Sequence, residues 1–186
     1  MTLRFESGGL ERPEVFRLLQ DHLDDIRATS PPDEIHALDV AGLRHQDVSF
    51  WTVWERGHLV GCGALKDLGG GDAELKSMRT ARRARGRGVG SAMLAHLLGI
   101  ARSRRYRQVL LETGSEEFYA PARRLYLRHG FTPCPPFGTY GVDCRNVFMS
   151  MRLEDASRHE GHDCADRLFN EGPIRETVDW WLNGCA

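Results

Sequence analysis

Arg85-Gly86-Arg87-Gly88-Val89-Gly90 is the stretch whose residue types and spacing point most directly to chemistry. Glycines let a backbone adopt positive φ and approach a ligand closely. Amides in such a turn, with a helix N-terminus behind them, favour an anion. Arg79, Arg82, Arg83, Arg85 and Arg87 add positive charge, so a diphosphate is the natural guest. The competing reading is a basic turn that only caps the next helix. Two better-known nucleotide loops do not fit. A phosphate loop needs Lys and then Ser or Thr after its last glycine, whereas Val89 follows Gly88 and Ser91 follows Gly90. A dinucleotide loop needs G-x-G-x-x-G, whereas Gly86, Gly88 and Gly90 alternate.

Other reactive side chains are scattered. The five cysteines are Cys62, Cys134, Cys144, Cys164 and Cys185, with no C-x-x-C pair. This argues against a disulfide framework or a zinc site and for a reducing cytoplasm. Neither Cys62 nor Cys134 has a neighbouring His that would activate a thiolate. His159, His162 and Cys164 have metal-compatible spacing but no evident fourth ligand, so no metal is expected. Arg102, Arg104, Arg105 and Arg107 read as a solvated helix end rather than a nucleic-acid patch.

The elements that must position the loop follow from periodicity. Thr2–Glu6 alternates as a strand, and Pro13 opens a helix with Val15, Leu18, Leu19, His22, Leu23 and Ile26 at helical spacing. Val48–Trp54 and Leu59–Leu65 form a hairpin, with the stretch before it ambiguous beyond a short helix near Val40–Arg44. Ala73–Thr80 is a strand and Val89–Arg102 an amphipathic helix. Val109–Glu112 is a strand, Ala120–His129 a helix ended by Gly130, and Val147–Leu153 the last strand. Helices interleave with strands, which predicts an α/β fold around a central sheet.

The 186 residues, 41% hydrophobic and 27% charged, suit one domain with its own core. A formal net charge of -1 provides no field toward nucleic acid or an anionic membrane, and no apolar stretch approaches a bilayer span. Residues 1–153 read as the domain. Residues 154–186 read as an appendage in which Pro173 opens a short helix, with a stripe of Ile174, Val178, Trp181 and Leu182 that offers a homodimer contact.

Several segments together resemble the GNAT N-acetyltransferases. Arg85, Gly88 and Gly90 match R-x-x-G-x-G, that family's coenzyme A pyrophosphate signature. Glu74 to Thr80 resembles the strand before that loop, and Leu111-Glu112-Thr113-Gly114 the strand after the following helix. Ala122 to Phe131 resembles the segment A-x-x-L-Y-x-x-x-G-F. Val60-Gly61-Cys62-Gly63-Ala64-Leu65, Phe137-Gly138-x-Tyr140 and Val147-Phe148-Met149 are similar to a bacterial, YsnE-like subgroup of small acetyltransferases. The likeness covers roughly residues 1–153.

The resemblance implies a GNAT acyl-CoA N-acyltransferase fold: a mixed, mostly antiparallel sheet whose two parallel strands splay to admit the cofactor. It implies acetyl-CoA as cosubstrate, with the main chain of Met78, Arg79 and Thr80 beside the pantetheine arm. Arg85, Gly86, Arg87, Gly88, Val89, Gly90 and Ser91 would hold the pyrophosphate. Tyr126 matches the usual general acid, since a phenol of ordinary pKa near ~10 can protonate a departing thiolate. A buried helix tyrosine is the alternative. Tyr119 stands where the family often has Asn, which weakens that cofactor contact. Glu74 lies where some relatives place a base, but Lys76 shares its face and an ion pair is an equal reading; Glu112 and His36 are alternates. The acceptor pocket is expected among His36, Asp39, Trp51, Thr113, Phe118, Phe137 and Tyr140. The implied reaction is direct acetyl transfer to a primary amine of a small molecule or amino acid. A protein amine as acceptor and a non-catalytic acyl-CoA sensor remain the alternatives.

Overall fold

The computed structural model describes residues 2–29, 38–141 and 145–153. His36 and the appendage expected over 154–186, with His159, His162 and Cys164, lie outside the described residues. Seven strands, β1 (Leu3–Ser7), β2 (Val48–Glu55), β3 (His58–Gly69), β4 (Asp72–Thr80), β5 (Gln108–Gly114), β6 (Thr132–Pro133) and β7 (Asn146–Arg152), form one sheet in the order β1-β2-β3-β4-β5-β7-β6. Among the described residues, three α-helices accompany it: α1 (Pro13–Thr29), α2 (Val89–Ser103) and α3 (Ala120–Arg128). The region expected to form a helix near Val40–Arg44 is a single 3-10 turn, Gly42–Arg44, and β6 is a strand that the sequence pattern did not announce. Two residues are too few to show an alternation.

Every strand pair is antiparallel except β4 and β5. That parallel pair needs a crossover, which α2 supplies. The sheet is covered on both faces. Val15, Leu18 and Leu19 of α1 pack with Phe50, Trp54, Leu59, Cys62 and Ala64 on one face. Val89, Met93, Leu94, Leu97, Leu98 and Ala101 of α2 are buried against Trp51, Val53, Val60, Leu65 and Leu75 on the other. Helix α2 comes close because Gly61 and Gly63 of β3 have no side chain. A Cβ at Gly63 would sit 2.8 Å from Leu97 Cδ1 and 2.8 Å from Met78 Sδ, and one at Gly61 would sit 2.8 Å from the Arg79 carbonyl oxygen.

Two irregularities in β4 shape the site. Pairing with β5 runs only from Asp72↔Gln108 to Leu75↔Leu111, so the two strands part from Lys76 and Glu112 onward. The register with β3 also slips, from Ala64↔Lys76 to Cys62↔Arg79, so Ser77 and Met78 both lie opposite Gly63. Ser77 takes φ 52 in this bulge, a conformation that non-glycine residues rarely adopt. The extra residue reverses the alternation. Ala73 and Leu75 belong to the α2-face core and Met78 packs against that same core, while Arg79 turns toward α1.

Candidate active site

The parting of β4 and β5 opens a groove of about 560 Å³ that runs to the N-terminus of α2. Gly86 and Gly88 have φ 74 and φ 80, which a side chain would strain, and Gly88 starts α2 with no side-chain cap. The first amides of a helix without such a cap are available to an anion. Met78, Arg79, Thr80, Arg85, Gly86, Gly88, Val89, Gly90, Ser91 and Tyr119 all line this groove. Arg87 does not; its guanidinium pairs with Glu55 of β2 at 2.7 Å. Ser91 Oγ lies 2.7 Å from His129 Nε2 at the end of α3.

Helix α1 reaches the loop arginines through Asp25, which accepts hydrogen bonds from Arg79 and, at 2.8 Å, from Arg82, with Arg85 at 3.7 Å. Burial pushes the Asp25 carboxyl up, but the Arg79 hydrogen bond and the charges of Arg79, Arg82 and Arg85 together outweigh it and hold the group below its usual range. The sequence offered no signal for this contact, because Asp25 lies far from the loop along the chain.

A smaller pocket of about 130 Å³ opens from the groove where the strands part. His22, Met78, Tyr119 and Tyr126 line both spaces. Tyr126 is buried, and burial together with the charge of Glu112 raises its phenol, so it stays protonated. Glu112, Thr113, Lys76, Ser77 and Asn146 line the smaller pocket alone. Burial is the main cause that lifts the Glu112 carboxyl to about 7, with Glu74 and Glu116 adding to it and Lys76 opposing.

The two carboxylates weighed as bases are held differently. Glu74 is buried and lines neither space. Lys76 Nζ donates to Glu74 Oε1 at 3.2 Å and to the Tyr140 hydroxyl at 2.7 Å, and Tyr140 Oη donates to Glu74 Oε1 at 2.5 Å. The ion pair expected between Glu74 and Lys76 therefore exists, and Tyr140 closes it. Burial and the bond to Glu74 raise the Tyr140 phenol.

The residues expected around the acceptor are dispersed. Thr113 lines the pocket and Phe118 the groove. Phe137 and Tyr140 pack on each other and on Phe148, and neither is among the residues lining the pocket or the groove. Trp51 is a core residue, edge-on to His96 and beneath Arg104. Asp39 accepts a hydrogen bond from the Gly42 amide at 2.7 Å in the 3-10 turn. Residues not anticipated as site residues are His22, Ser77, Asp25 and Asn146. His22 had one signal, a titratable ring within the apolar stripe of α1. Cys62 is fully buried, its thiol raised to about 12 by burial, and burial also raises Cys134.

Known proteins resemble this chain. A family model described as acetyltransferase (GNAT) family matches residues 12–131. The Bacillus subtilis protein named uncharacterized N-acetyltransferase YsnE is 43% identical over 140 residues, spanning 75% of this chain and 93% of that protein. The Escherichia coli protein named uncharacterized N-acetyltransferase YedL is 44% identical over 148 residues, spanning 80% of this chain and 93% of that one. Among solved structures, the PaiA N-acetyltransferase of Thermoplasma acidophilum in complex with coenzyme A superposes with TM-score 0.63 at 13% identity, covering 82% of this chain and 100% of that one. At that identity the likeness is one of fold.

Proposed function

From the premise that this chain belongs to the GNAT N-acetyltransferase family, we propose that it transfers acetyl from acetyl-CoA directly to a primary amine of a small molecule or amino acid, in the cytoplasm. One observation carries the reading: β4 and β5 part beyond Leu75↔Leu111, and the gap joins an uncapped helix N-terminus to a pocket holding Glu112 and Tyr126. The groove fits the cosubstrate. The positive-φ turn at Gly86 and Gly88, the α2 amides and Arg85 suit a pyrophosphate, and the edge of β4 at Met78–Thr80 that β5 leaves open suits the amides of a pantetheine arm.

Bound there, acetyl-CoA would supply an activated acetyl thioester. Glu112 would take a proton from the acceptor ammonium, freeing the nitrogen lone pair for the new N–C bond. A carboxyl raised to about 7 is matched to that task at neutral pH. Glu74 is the weaker candidate, because Lys76 and Tyr140 occupy it. Tyr126 would donate its hydroxyl proton toward the sulfur as the C–S bond breaks; the second proton, shed by the acylated nitrogen, would restore the phenol through solvent, and Glu112 would pass the first to solvent. Holding both partners in adjoining spaces supplies much of the rate without an acetyl-enzyme. The burial of Cys62 supports the direct route.

Release of free thiol from acetyl-CoA, measured across amines, amino acids and peptides, tests the reading. Turnover with a small amine is expected. Thiol release no faster than the acceptor-free rate with every amine would leave an acyl-CoA-binding sensor, and turnover with peptides alone would move the acceptor to proteins.

A further inference from the structure

Among the described residues, three buried polar atoms between α1 and β4 have no hydrogen-bond partner: His22 Nδ1, Ser77 Oγ and Arg79 Nε. A native fold rarely leaves such atoms unsatisfied, because each has given up its hydrogen bonds to water. These three are close neighbours in the fold. His22 lines both the groove and the smaller pocket, Ser77 lines the pocket and Arg79 the groove, and the charge of Arg79 acts on the His22 ring. Ser77 is also the residue at positive φ in the β4 bulge, and strained backbone of that kind clusters at ligand clamps.

Their chemistry has a common complement. Arg79 Nε–H can only donate, a serine hydroxyl donates or accepts, and the tautomer decides which His22 nitrogen carries the proton. A group that accepts several hydrogen bonds through two oxygens satisfies all three at once. The local charge suits an anion, since among the described residues Arg79, Arg82 and Arg85 share one ion-pair partner, Asp25. Burial and the charge of Arg79 lower the His22 imidazole to about 4, so the ring is neutral and serves as a hydrogen-bonding group rather than a cation. Glu112 lines the same pocket as His22 and Ser77.

Building on the proposed acetyltransferase reading, we propose that the acceptor is an amine that also carries a carboxylate, an amino acid. Its carboxylate is held by His22, Ser77 and Arg79, while its amino group faces Glu112. These three side chains are acceptor-binding groups and take no part in proton transfer.

Matched acceptors test this: leucine, leucinamide and 3-methylbutylamine, each assayed with acetyl-CoA by thiol release. Leucine should exceed the other two in kcat/KM by at least about tenfold. His22→Ala and Ser77→Ala should each lower that ratio, mainly by raising KM for leucine, and leave KM for 3-methylbutylamine nearly unchanged. Coenzyme A affinity of both variants, by calorimetry, should match the wild type and shows that they are folded. Equal or better use of leucinamide or 3-methylbutylamine overturns the proposal while leaving the acetyltransferase reading intact. A folded His22→Ala variant that loses coenzyme A affinity also overturns it, because the orphaned groups would then serve the cofactor. Thiol release with none of a wider panel of amines sinks both readings together.

Discussion

Glu112 and Tyr126 illustrate how burial sets reactivity at single residues. Both face the small pocket, and burial is the largest influence on each. A base must be ionised to accept a proton, so kcat/KM should rise with pH through an apparent value near 7. Glu112→Gln should abolish that limb and lower kcat by ~10²–10⁴-fold, as a pH–rate profile would reveal. A parallel limb surviving in the variant would return the role to Glu74. The same shift predicts stability. The folded state holds the Glu112 proton more tightly than the unfolded chain, whose carboxyl titrates near 4.5. Stability is therefore lost as pH rises from 4.5 through about 7. Glu112→Gln should melt higher than wild type above that window and alike below it. Tyr126→Phe keeps the ring and should cost kcat ~10²–10⁴-fold with coenzyme A affinity little changed. The placement of Tyr126 on α3 beside the groove was legible from its L-Y-x-x-x-G-F context. That Lys76 and Tyr140 clamp Glu74, which is why Glu112 is the proposed base, was not.

Among the elements, β4 is the one on which most depends. Its bulge, its early separation from β5 and its contact with α2 all converge beside Gly61 and Gly63. A methyl at Gly61 would press on the main-chain oxygen of Arg79, which cannot rotate away as a side chain can. Gly61→Ala should therefore destabilise by ~1–3 kcal/mol, lowering the melting temperature by several degrees and weakening coenzyme A binding along β4. An unchanged melt would show that β3 shifts freely. At the loop, Gly88→Asp would place strained backbone and negative charge where a phosphate should lie. Coenzyme A affinity should drop about tenfold or more, equivalent to ~1.4 kcal/mol, by calorimetry. The glycines of β3 and of the loop were visible in the sequence, but the partner each one makes room for was not.

For the molecule as a whole, the described strands and helices close into one unit by Leu153. That residue is buried, and its amide bonds to the Arg107 carbonyl oxygen at 2.8 Å. We propose that the domain ends there and that residues 154–186 are an appendage. A chain truncated after Leu153 should fold, bind coenzyme A and keep its turnover, as melting, calorimetry and thiol release would report. A folded truncation that binds coenzyme A but fails to transfer acetyl would place the tail in the active site. Sedimentation of the two forms would show whether the Ile174, Val178 and Trp181 stripe holds a dimer. Cys62→Ala and Cys134→Ala should retain turnover, apart from a modest packing loss at the fully buried Cys62.

The sequence by itself determined the order of the elements other than the two-residue β6, the glycine pattern and the helix position of Tyr126, because periodicity, turn chemistry and short motifs are local properties of a chain. Only the tertiary structure decided how distant residues meet. It put Arg87 on Glu55 instead of in the groove and Trp51 in the core instead of at the pocket. It brought Tyr140 to Glu74, and it set Asp25 among the loop arginines. It left polar atoms of His22, Ser77 and Arg79 buried and, among the described residues, without a hydrogen-bond partner. Such pairings join residues tens of positions apart, and they depend on burial and on one extra residue in β4, neither of which has a local pattern to read.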